Sequence, residues 1–221
     1  FSVTFSSYTP STTLDSGQPL TLSVTPSISG GTSPYSYQWY LNGTSSSDII
    51  SGATGAATSG TAVTYSFTAP TVYTTNTYTF YVIISDRATV PSTSPSSSIT
   101  VTVNPALVPG STSGPATMDI GQSATLIVSP SGGTPSYTYQ WYEEASGATS
   151  FTAIASATSY SYTFDTAGLT TTGSYSFYAA ITDSATTAVT LDSTTLTITV
   201  NAAFSVTFSS YTPSTTLDSG Q

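Results

Sequence analysis

The chain repeats itself at two levels, and this repetition constrains its fold more than any other feature of the sequence. Four stretches of the first half return, slightly changed, in the second half. They are TLDSGQ (13–18) with TMDIGQ (117–122), SGGTSPYSYQWY (29–40) with SGGTPSYTYQWY (131–142), TYTFYVIISD (77–86) with SYSFYAAITD (174–183), and ITVTVNP (99–105) with LTITVNA (196–202). The two halves are therefore related domains.

The second level of repetition is letter for letter. FSVTFSSYTPSTTLDSGQ at 1–18 returns unchanged at 204–221, a spacing of 203 residues. The repeating unit is thus the pair of related domains and not the single domain. We expect a first domain at 1–105, a second at 106–203, and at 204–221 the first strand of a following copy of the first domain.

Aromatic residues indicate that both domains are all-β. The chain holds 16 Tyr, 9 Phe and 2 Trp, and many of them alternate with small polar residues, as in strands that are buried on one face. Turn residues divide each domain into about seven short strands, which predicts a sandwich of two sheets. In the first domain we place strand A at 1–7, B at 19–25, C at 35–41, a short C′ near 48–51, E at 62–68, F at 77–85 and G at 98–103.

Two patterns resemble the immunoglobulin-like and PKD-like tandem domains of archaeal or bacterial cell-surface and extracellular filament proteins: YQWY on strand C (37–40, 139–142) and Y-x-F on strand F (78–80, 175–177). The resemblance implies two tandem immunoglobulin-like sandwiches in which hydrophobic residues replace the usual disulfide. The implied core residues are Trp39, Phe80 and Val24 with Tyr78 at the tyrosine corner, and in the second domain Trp141, Phe177 and Val128 with Tyr175 at that corner.

Strand alternation also predicts what faces outward. If Trp39 and Phe80 point into the core, then Tyr40, Tyr81 and Ile83 point out from neighbouring strands, and Tyr142 with Tyr178 repeats part of this surface. Exposed aromatic patches often mark contacts with other chains or with sugar rings. Ordinary cross-strand pairing of residues with high β-propensity is the alternative.

The residue inventory argues against enzymatic catalysis. There is no His and no Cys, and Arg87 is the one cationic side chain, so no base is available to activate the many Ser and Thr hydroxyls. Glu143 and Glu144 are adjacent and should point to opposite faces of a strand, which makes them a poor catalytic pair. We therefore expect no catalytic residues and no cofactor.

Four carboxylates come in equivalent pairs. Asp15 and Asp119 lie in the turn after strand A, and Asp86 and Asp183 end strand F. Capping of a turn by the side chain is the simpler interpretation, because Asp is a common turn residue. A calcium site between domains is the alternative, although single scattered carboxylates supply few of the six to eight oxygens that calcium takes.

Charge and sequence signals limit the partners. The net charge of −9 argues against nucleic acid, whose recognition needs clustered Lys or Arg, and no apolar run is long enough to span a bilayer. NGT at 42–44 makes Asn42 a glycosylation acceptor, or else an Asn-Gly turn without sugar. The Ser and Thr residues could carry O-linked sugars.

The junctions predict a mechanical role. Strand G runs through Asn104 and Pro105 directly into Ala106, and the second domain ends with Asn201 just before Phe204, with no Gly-Ser linker between. We expect a non-enzymatic protein outside the cell or on its surface, stacked into a filament, stalk or sheath. Its partners would be neighbouring copies of itself, in a covalent array or an end-to-end, donor-strand polymer. The alternative is an adhesin that recognises a glycan or a partner cell through its loops or outer tyrosines.

Overall fold

The computed structural model describes residues 1–10 and 12–209, and it confirms the all-β prediction with two sandwich domains. The first domain contains β1 (Ser2–Ser6), β2 (Thr12–Asp15), β3 (Pro19–Ser29), β4 (Tyr35–Leu41), a short 3-10 helix (Ser46–Asp48), β5 (Ile49–Ala57), β6 (Val63–Thr68), β7 (Asn76–Ser85), β8 (Thr93–Pro95) and β9 (Ile99–Asn104). The second contains β10 (Thr112–Ser113), β11 (Thr117–Asp119), β12 (Ser123–Val128), β13 (Thr138–Glu144), β14 (Thr152–Ala153), β15 (Ser161–Asp165), β16 (Gly173–Thr182), β17 (Thr190–Asp192) and β18 (Leu196–Asn201).

Both domains pair their strands in the same way. In the first, a three-stranded sheet β1-β3-β6 faces a larger sheet β2-β9-β7-β4-β5, in which β8 also pairs with β7. In the second, β10-β12-β15 faces β11-β18-β16-β13-β14, with β17 on β16. The pairings between these strands are antiparallel except β2 on β9 and β11 on β18, which are parallel. Because of these parallel pairs, the turn after β2 or β11 lies at the same end of the sandwich as the C-terminal end of the domain's last strand.

Four elements differ from the sequence prediction. The predicted strand C′ near 48–51 is the start of a longer strand, β5, whose residues 54–57 pair with β4 beyond a bulge. The predicted strand B at 19–25 continues to 29 because Ser2 to Ser6 of β1 pair with its second half. The short strands β2 and β8 were not predicted. Strand β2 forms only by pairing with β9, which is distant along the chain, and strand β8 follows the irregular loop after β7.

Two tryptophans lie at the centres of the two cores. Trp39 and Trp141 are fully buried, and so are Val24, Phe80 and Phe177, which surround them at the positions that the sequence resemblance implied. Tyr65 lies between Trp39 and Phe80, with ring centroids 6.2 and 6.1 Å away. Tyr162 lies in the same way between Trp141 and Phe177, at 6.0 and 6.1 Å. The two cores are therefore built on the same aromatic arrangement.

The tyrosine-corner positions differ in detail between the domains. Tyr175 is buried, and its hydroxyl donates to the carbonyl of Thr171 at 2.9 Å, which ties the start of β16 to the preceding loop. Tyr78 is half-buried and packs on Phe67, with ring centroids 5.6 Å apart.

The two tryptophans also differ in hydrogen bonding, and this generates a prediction. The indole N–H of Trp141 donates to the carbonyl of Ser159 at 2.9 Å, whereas Trp39 Nε1 has no partner among residues 1–10 and 12–209. Replacing Trp141 by Phe leaves that carbonyl without its donor, so Trp141→Phe should destabilise the second domain by about 1 kcal/mol more than Trp39→Phe destabilises the first. Urea titration followed through the amide NMR signals of each domain measures both losses, and equal losses would contradict the assignment.

Candidate assembly interface

The two sandwiches meet end to end through motifs that each domain carries. The TLDSGQ turn and the end of β9 in the first domain contact the SGGT loop and the β16–β17 loop of the second. Asp15 and Asn104 are buried at this junction, with 2% and 7% of their surface exposed, and so is Asp183 of the second domain, with 4%. Polar side chains, rather than an apolar patch, thus lie at the centre of the contact.

A series of hydrogen bonds crosses the junction at Thr134. Thr75 Oγ1 donates to Asn104 Oδ1 at 2.7 Å, which turns the amide so that Asn104 Nδ2 donates to Thr134 Oγ1 at 3.0 Å. The Thr134 hydroxyl in turn donates to Asp15 Oδ1 at 3.0 Å. Each polar atom in the series is satisfied by the next, as buried polar groups require. Thr134 therefore binds two side chains of the first domain at once.

Asp15 and Asp183 form an acid pair across the same contact. Burial, followed by its hydrogen bond to Asp183, raises the pKa of Asp15 to about 7. Burial alone would raise the pKa of Asp183 as well, but hydrogen bonds from Asp15 and from the backbone of Val189, Ala185 and Thr134 hold that pKa below its ordinary value. The backbone donors fix Asp183 as the carboxylate, so Asp15 is the partner that keeps the proton. Asp15 Oδ2 has no other hydrogen-bond partner among the residues that the structure describes. When it carries the proton, it can donate to Asp183.

Hydrogen bonds to main-chain carbonyls reinforce the side-chain series. Thr186 N–H donates to the carbonyl of Thr13 at 3.0 Å, and Gln18 Nε2 donates to the carbonyl of Thr187 at 2.6 Å. The connection itself is also tied down, since Gly133 N–H donates to the carbonyl of Pro105 at 2.8 Å. The domains are therefore joined by hydrogen bonds to main-chain groups as well as by bonds between side chains.

The paired glycines of SGGT make room for the connecting chain. Gly132 and Gly133 both have positive φ, at 64° and 62°. A Cβ on Gly132 would collide with the carbonyl oxygen of Ala106, and one on Gly133 would lie 3.1 Å from the Leu107 side chain. Glycine is thus needed here both for the backbone conformation and for the close approach of the linker.

A cleft of about 410 Å³ opens beside the junction. It is lined by Thr74, Thr75, Asn104, Pro105, Gly132, Gly133, Pro135 and Tyr137. The Tyr137 hydroxyl donates to the carbonyl of Gly132, and burial, followed by the charges of Asp183 and Asp15, raises the pKa of Tyr137. The phenol therefore stays protonated at neutral pH and supports the glycine loop.

The four aspartates singled out in the sequence separate into two roles. Asp15 and Asp183 come together at the junction, whereas Asp86 and Asp119 lie at opposite outer ends of the two domains. Asp86 accepts from the backbone N–H of Ser92 at 2.8 Å and of Thr32 at 3.1 Å, and these bonds lower its pKa. Within residues 1–10 and 12–209 no three Asp or Glu gather as a metal site would require. The calcium interpretation gains no support from this geometry.

The outward-facing aromatic residues form one patch in each domain. Tyr40 pairs directly with Tyr81 across β4 and β7, and Ile83 lies on the same sheet opposite Pro95 of β8. Tyr142 stacks on Tyr178 with centroids 4.8 Å apart and planes 6° from parallel. Phe151 adds an edge-on contact to Tyr178 at 4.9 Å. These side chains are half-buried by one another and still reach the surface.

The sequon lies in a turn immediately after β4. Asn42 is exposed, has φ of 62°, and accepts from the Thr79 N–H through Oδ1 at 3.0 Å. At the equivalent end of β13, Glu143 and Glu144 occupy the strand. Glu143 lies on the side of Trp141, and burial raises its pKa. Glu144 follows it on the opposite face, as alternation predicted.

Several junction residues were not recognised from the sequence alone. Thr134, Asn104, Gln18 and Thr186 carry the contacts, yet each looks like an ordinary loop residue in its own domain. Their signal was present in the internal repeat, because SGGT, the D-x-G-Q turn and the Val-Asn strand end all recur in both halves. Motifs that recur at the two ends of each domain indicate matching surfaces between domains.

The acid pair predicts how domain contact depends on pH. The pKa of Asp15 is raised in the folded state, so its stabilisation is complete below its unfolded value of 3.8 and is lost as the pH rises through about 7. The pKa of Asp183 is lowered, so its stabilisation holds above 3.8 and is lost below. Between about pH 4 and 7 the pair shares one proton, and the stability of the junction is greatest near pH 4 and falls as the pH rises to about 7.

Calorimetric melting between pH 5 and pH 8 tests this. The melting temperature of the native chain should fall over that range, and Asp15→Asn, whose amide donates to Asp183 at every pH, should remove most of the fall. Asp119→Asn, the same change at the outer end of the second domain, is the matched control and should leave it in place. Identical pH profiles for the native chain and Asp15→Asn would refute the shared proton.

None of the helical segments in the described ranges is long and apolar enough to cross a bilayer. No protein-family model matches the chain, and no curated protein matches it in sequence.

Several solved structures of multi-domain proteins are similar to the chain in fold. A marsupial T cell receptor matches with a TM-score of 0.60 and 12% identity, over 94% of this chain and 76% of the other. An I-band fragment of titin matches with a TM-score of 0.57 and 14% identity, over 90% and 66%. A second titin fragment gives 0.52 and 14%, over 86% and 62%. The chain spans less than two thirds of these titin fragments, and at such identities the likeness shows the fold: two tandem immunoglobulin-like sandwiches.

Proposed function

We propose that this chain is part of a structural, non-enzymatic protein located outside the cell, in which immunoglobulin-like sandwiches stack end to end into a filament, stalk or sheath. The junction at Asp15, Thr134 and Asp183 carries the proposal, because a buried network of directional bonds fixes one orientation between domains, whereas a flexible tether would leave them independent. The YQWY and Y-x-F patterns favour an archaeal or bacterial surface protein with PKD-like domains as the setting.

The exposed apolar residues after the second domain support continuation of the stack. Phe204, Val206 and Phe208 are 84%, 56% and 92% exposed. The identical residues Phe1, Val3 and Phe5 are half-buried and pack on the first core, where β1 pairs with β3. Residues 204–209 form no strand, and the rest of the predicted strand at 204–221 lies outside the described residues.

A sandwich domain is the environment that would bury Phe204, Val206 and Phe208. It could be the following domain of the same chain, or the first domain of a neighbouring molecule that accepts the segment as a donor strand. In either case these three side chains would be removed from contact with water, which favours assembly by about 25 cal/mol per Å² of apolar surface buried.

Electron microscopy of the native material tests the proposal. Sandwiches that advance about 35 to 45 Å each, from strands of roughly ten residues, should give a continuous fibre with an axial repeat of about 70 to 90 Å for each pair of domains. Boiling in denaturant should release one very large chain from a covalent array, or subunits of uniform size from a donor-strand polymer. Isolated compact particles without end-to-end contact would refute the structural role.

Glycan binding is a second candidate function, favoured by the stacked tyrosines. The Tyr142–Tyr178 pair and the Tyr40–Tyr81 pair occupy equivalent places on the outer faces of the two domains. Repeated aromatic faces on one molecule would bind a sugar polymer at several points, since aromatic rings pack well against the apolar faces of sugars. This function would make the assembly an adhesin.

Paired substitutions separate binding from folding. Changing Tyr40 and Tyr81, or Tyr142 and Tyr178, to Ser should abolish glycan-array binding of the chain while each domain stays folded, with a loss of about 0.5 to 1.5 kcal/mol where the stacked rings of Tyr142 and Tyr178 are removed. Tyr73→Ser is the control, because Tyr73 is 92% exposed and lies outside both patches. If the unsubstituted chain binds no glycan, or if the substitutions change nothing, the adhesin role is contradicted.

A further inference from the structure

We propose that the outer end of the second domain is a docking surface for the outer end of the first domain of another copy of this unit, and that this contact repeats the Asp15–Thr134–Asp183 junction. The inference rests on the proposed end-to-end function and names the residues by which successive units recognise each other.

The outer end of the second domain has the same geometry as the first domain's side of the junction. The turn after β11 is closed by Asp119 N–H donating to Gln122 Oε1 at 2.8 Å, as Asp15 N–H donates to Gln18 Oε1 at 3.0 Å. The last strand is joined to that turn by Ile120 N–H donating to the carbonyl of Asn201 at 3.0 Å, as Ser16 N–H donates to that of Asn104 at 2.9 Å. Asp119, Gln122 and Asn201 are thereby placed like Asp15, Gln18 and Asn104.

The outer end of the first domain has the geometry of the second domain's side. Thr32 N–H donates to Asp86 Oδ2 at 3.1 Å, as Thr134 N–H donates to Asp183 Oδ2 at 3.5 Å. The loop after Asp86 closes by the bond from Ser92 N–H at 2.8 Å, and the loop after Asp183 by that from Val189 N–H at 2.9 Å.

The loop after Asp86 and the loop after Asp183 also bond to the SGGT segment of their own domain in the same way. Arg87 N–H donates to the carbonyl of Thr32 at 2.8 Å, as Ser184 N–H donates to that of Thr134 at 3.1 Å. The backbone at Thr32 therefore makes the same hydrogen bonds as the backbone at Thr134, so the two threonines are placed alike in their domains. Each end of the two-domain unit thus carries one complete half of the junction.

The residue three positions after the final Asn of each domain also supports docking of a second copy. Leu107, three residues after Asn104, is buried against Gly133. Phe204 lies three residues after Asn201 and is 84% exposed. Its identical counterpart Phe1 already packs over Gly31, where a Cβ would lie 2.7 Å from the Phe1 ring. In a docked copy Phe204 would take the place that Phe1 has here.

The proposed contact would also bring Asp119 to Asp86, as Asp15 meets Asp183, with one cation beside the two carboxylates. Arg87, the one cationic side chain of the sequence, belongs to the receiving end, whereas the presenting end carries Asp119. The contact is head to tail, so each docked unit leaves another pair of free ends, and a heterologous contact that does not close on itself builds an open fibre.

Thiol cross-linking across the second junction tests the proposal, and the absence of native Cys makes it clean. The test uses a chain in which 1–203 is followed by a second copy, 1–221, so that the sequence continues in its own register. One cysteine replaces Thr117 of the first copy and one replaces Thr89 of the second, and a short bis-maleimide probes their distance. The positive control is Thr13→Cys with Thr186→Cys inside the first copy, whose backbone groups bond at 3.0 Å. The negative control pairs Thr117→Cys with Thr71→Cys, at the far end of the second copy's first domain.

The proposal expects the Thr117–Thr89 pair to cross-link as completely as the positive control, and the Thr117–Thr71 pair at least tenfold less. Both substituted Thr residues are exposed, so folding should not be affected, and an unchanged melting temperature verifies this. Failure of the Thr117–Thr89 link while the positive control links would overturn the proposed contact. A fibre seen by microscopy together with that failure would keep the structural function and reject only this interface, whereas efficient linking without native fibres would reject the function alone.

Discussion

A buried network of polar side chains between the two sandwiches is the interaction on which the arrangement of the molecule depends. Thr134 accepts from Asn104 and donates to Asp15, and Asp15 shares a proton with Asp183. An apolar contact would tolerate sliding, because hydrophobic attraction has no direction, but hydrogen bonds in a buried site are costly to leave unmade. The network therefore selects one orientation, and the shared proton makes that orientation most stable under mildly acidic conditions.

Within each domain stability comes from buried aromatic and aliphatic packing. Each core places a fully buried Trp beside a Phe, with a Tyr from the facing sheet lying between the two rings. Val24 and Phe80 fill the space beside Trp39 that a disulfide takes in related sandwiches, so the fold does not depend on oxidation. In the part of the chain that the structure describes no three acidic side chains gather to bind a metal, and the sequence contains no Cys.

The sequence predicted the fold far better than the interface, and the reason is the range of the interactions. Trp39 and the alternating tyrosines identify strands because that pattern is local. Strand β2 was missed because Thr12 to Asp15 become a strand only by pairing with β9, almost ninety positions later. Asp15 looked like a turn cap for the same reason: the partners that bury it, Thr134 and Asp183, belong to another domain. The recurrence of SGGT in both halves was visible, but only the structure shows that its glycines admit the linker.

Residual dipolar couplings of the two domains in the full chain test the central claim most directly. If the junction fixes one orientation, couplings from β4 and β7 and from β13 and β16 will fit a single alignment tensor of one magnitude, with the relative domain orientation described here. Two different tensors, with the smaller one reduced by motion, would show that the sandwiches reorient independently, and would contradict the account.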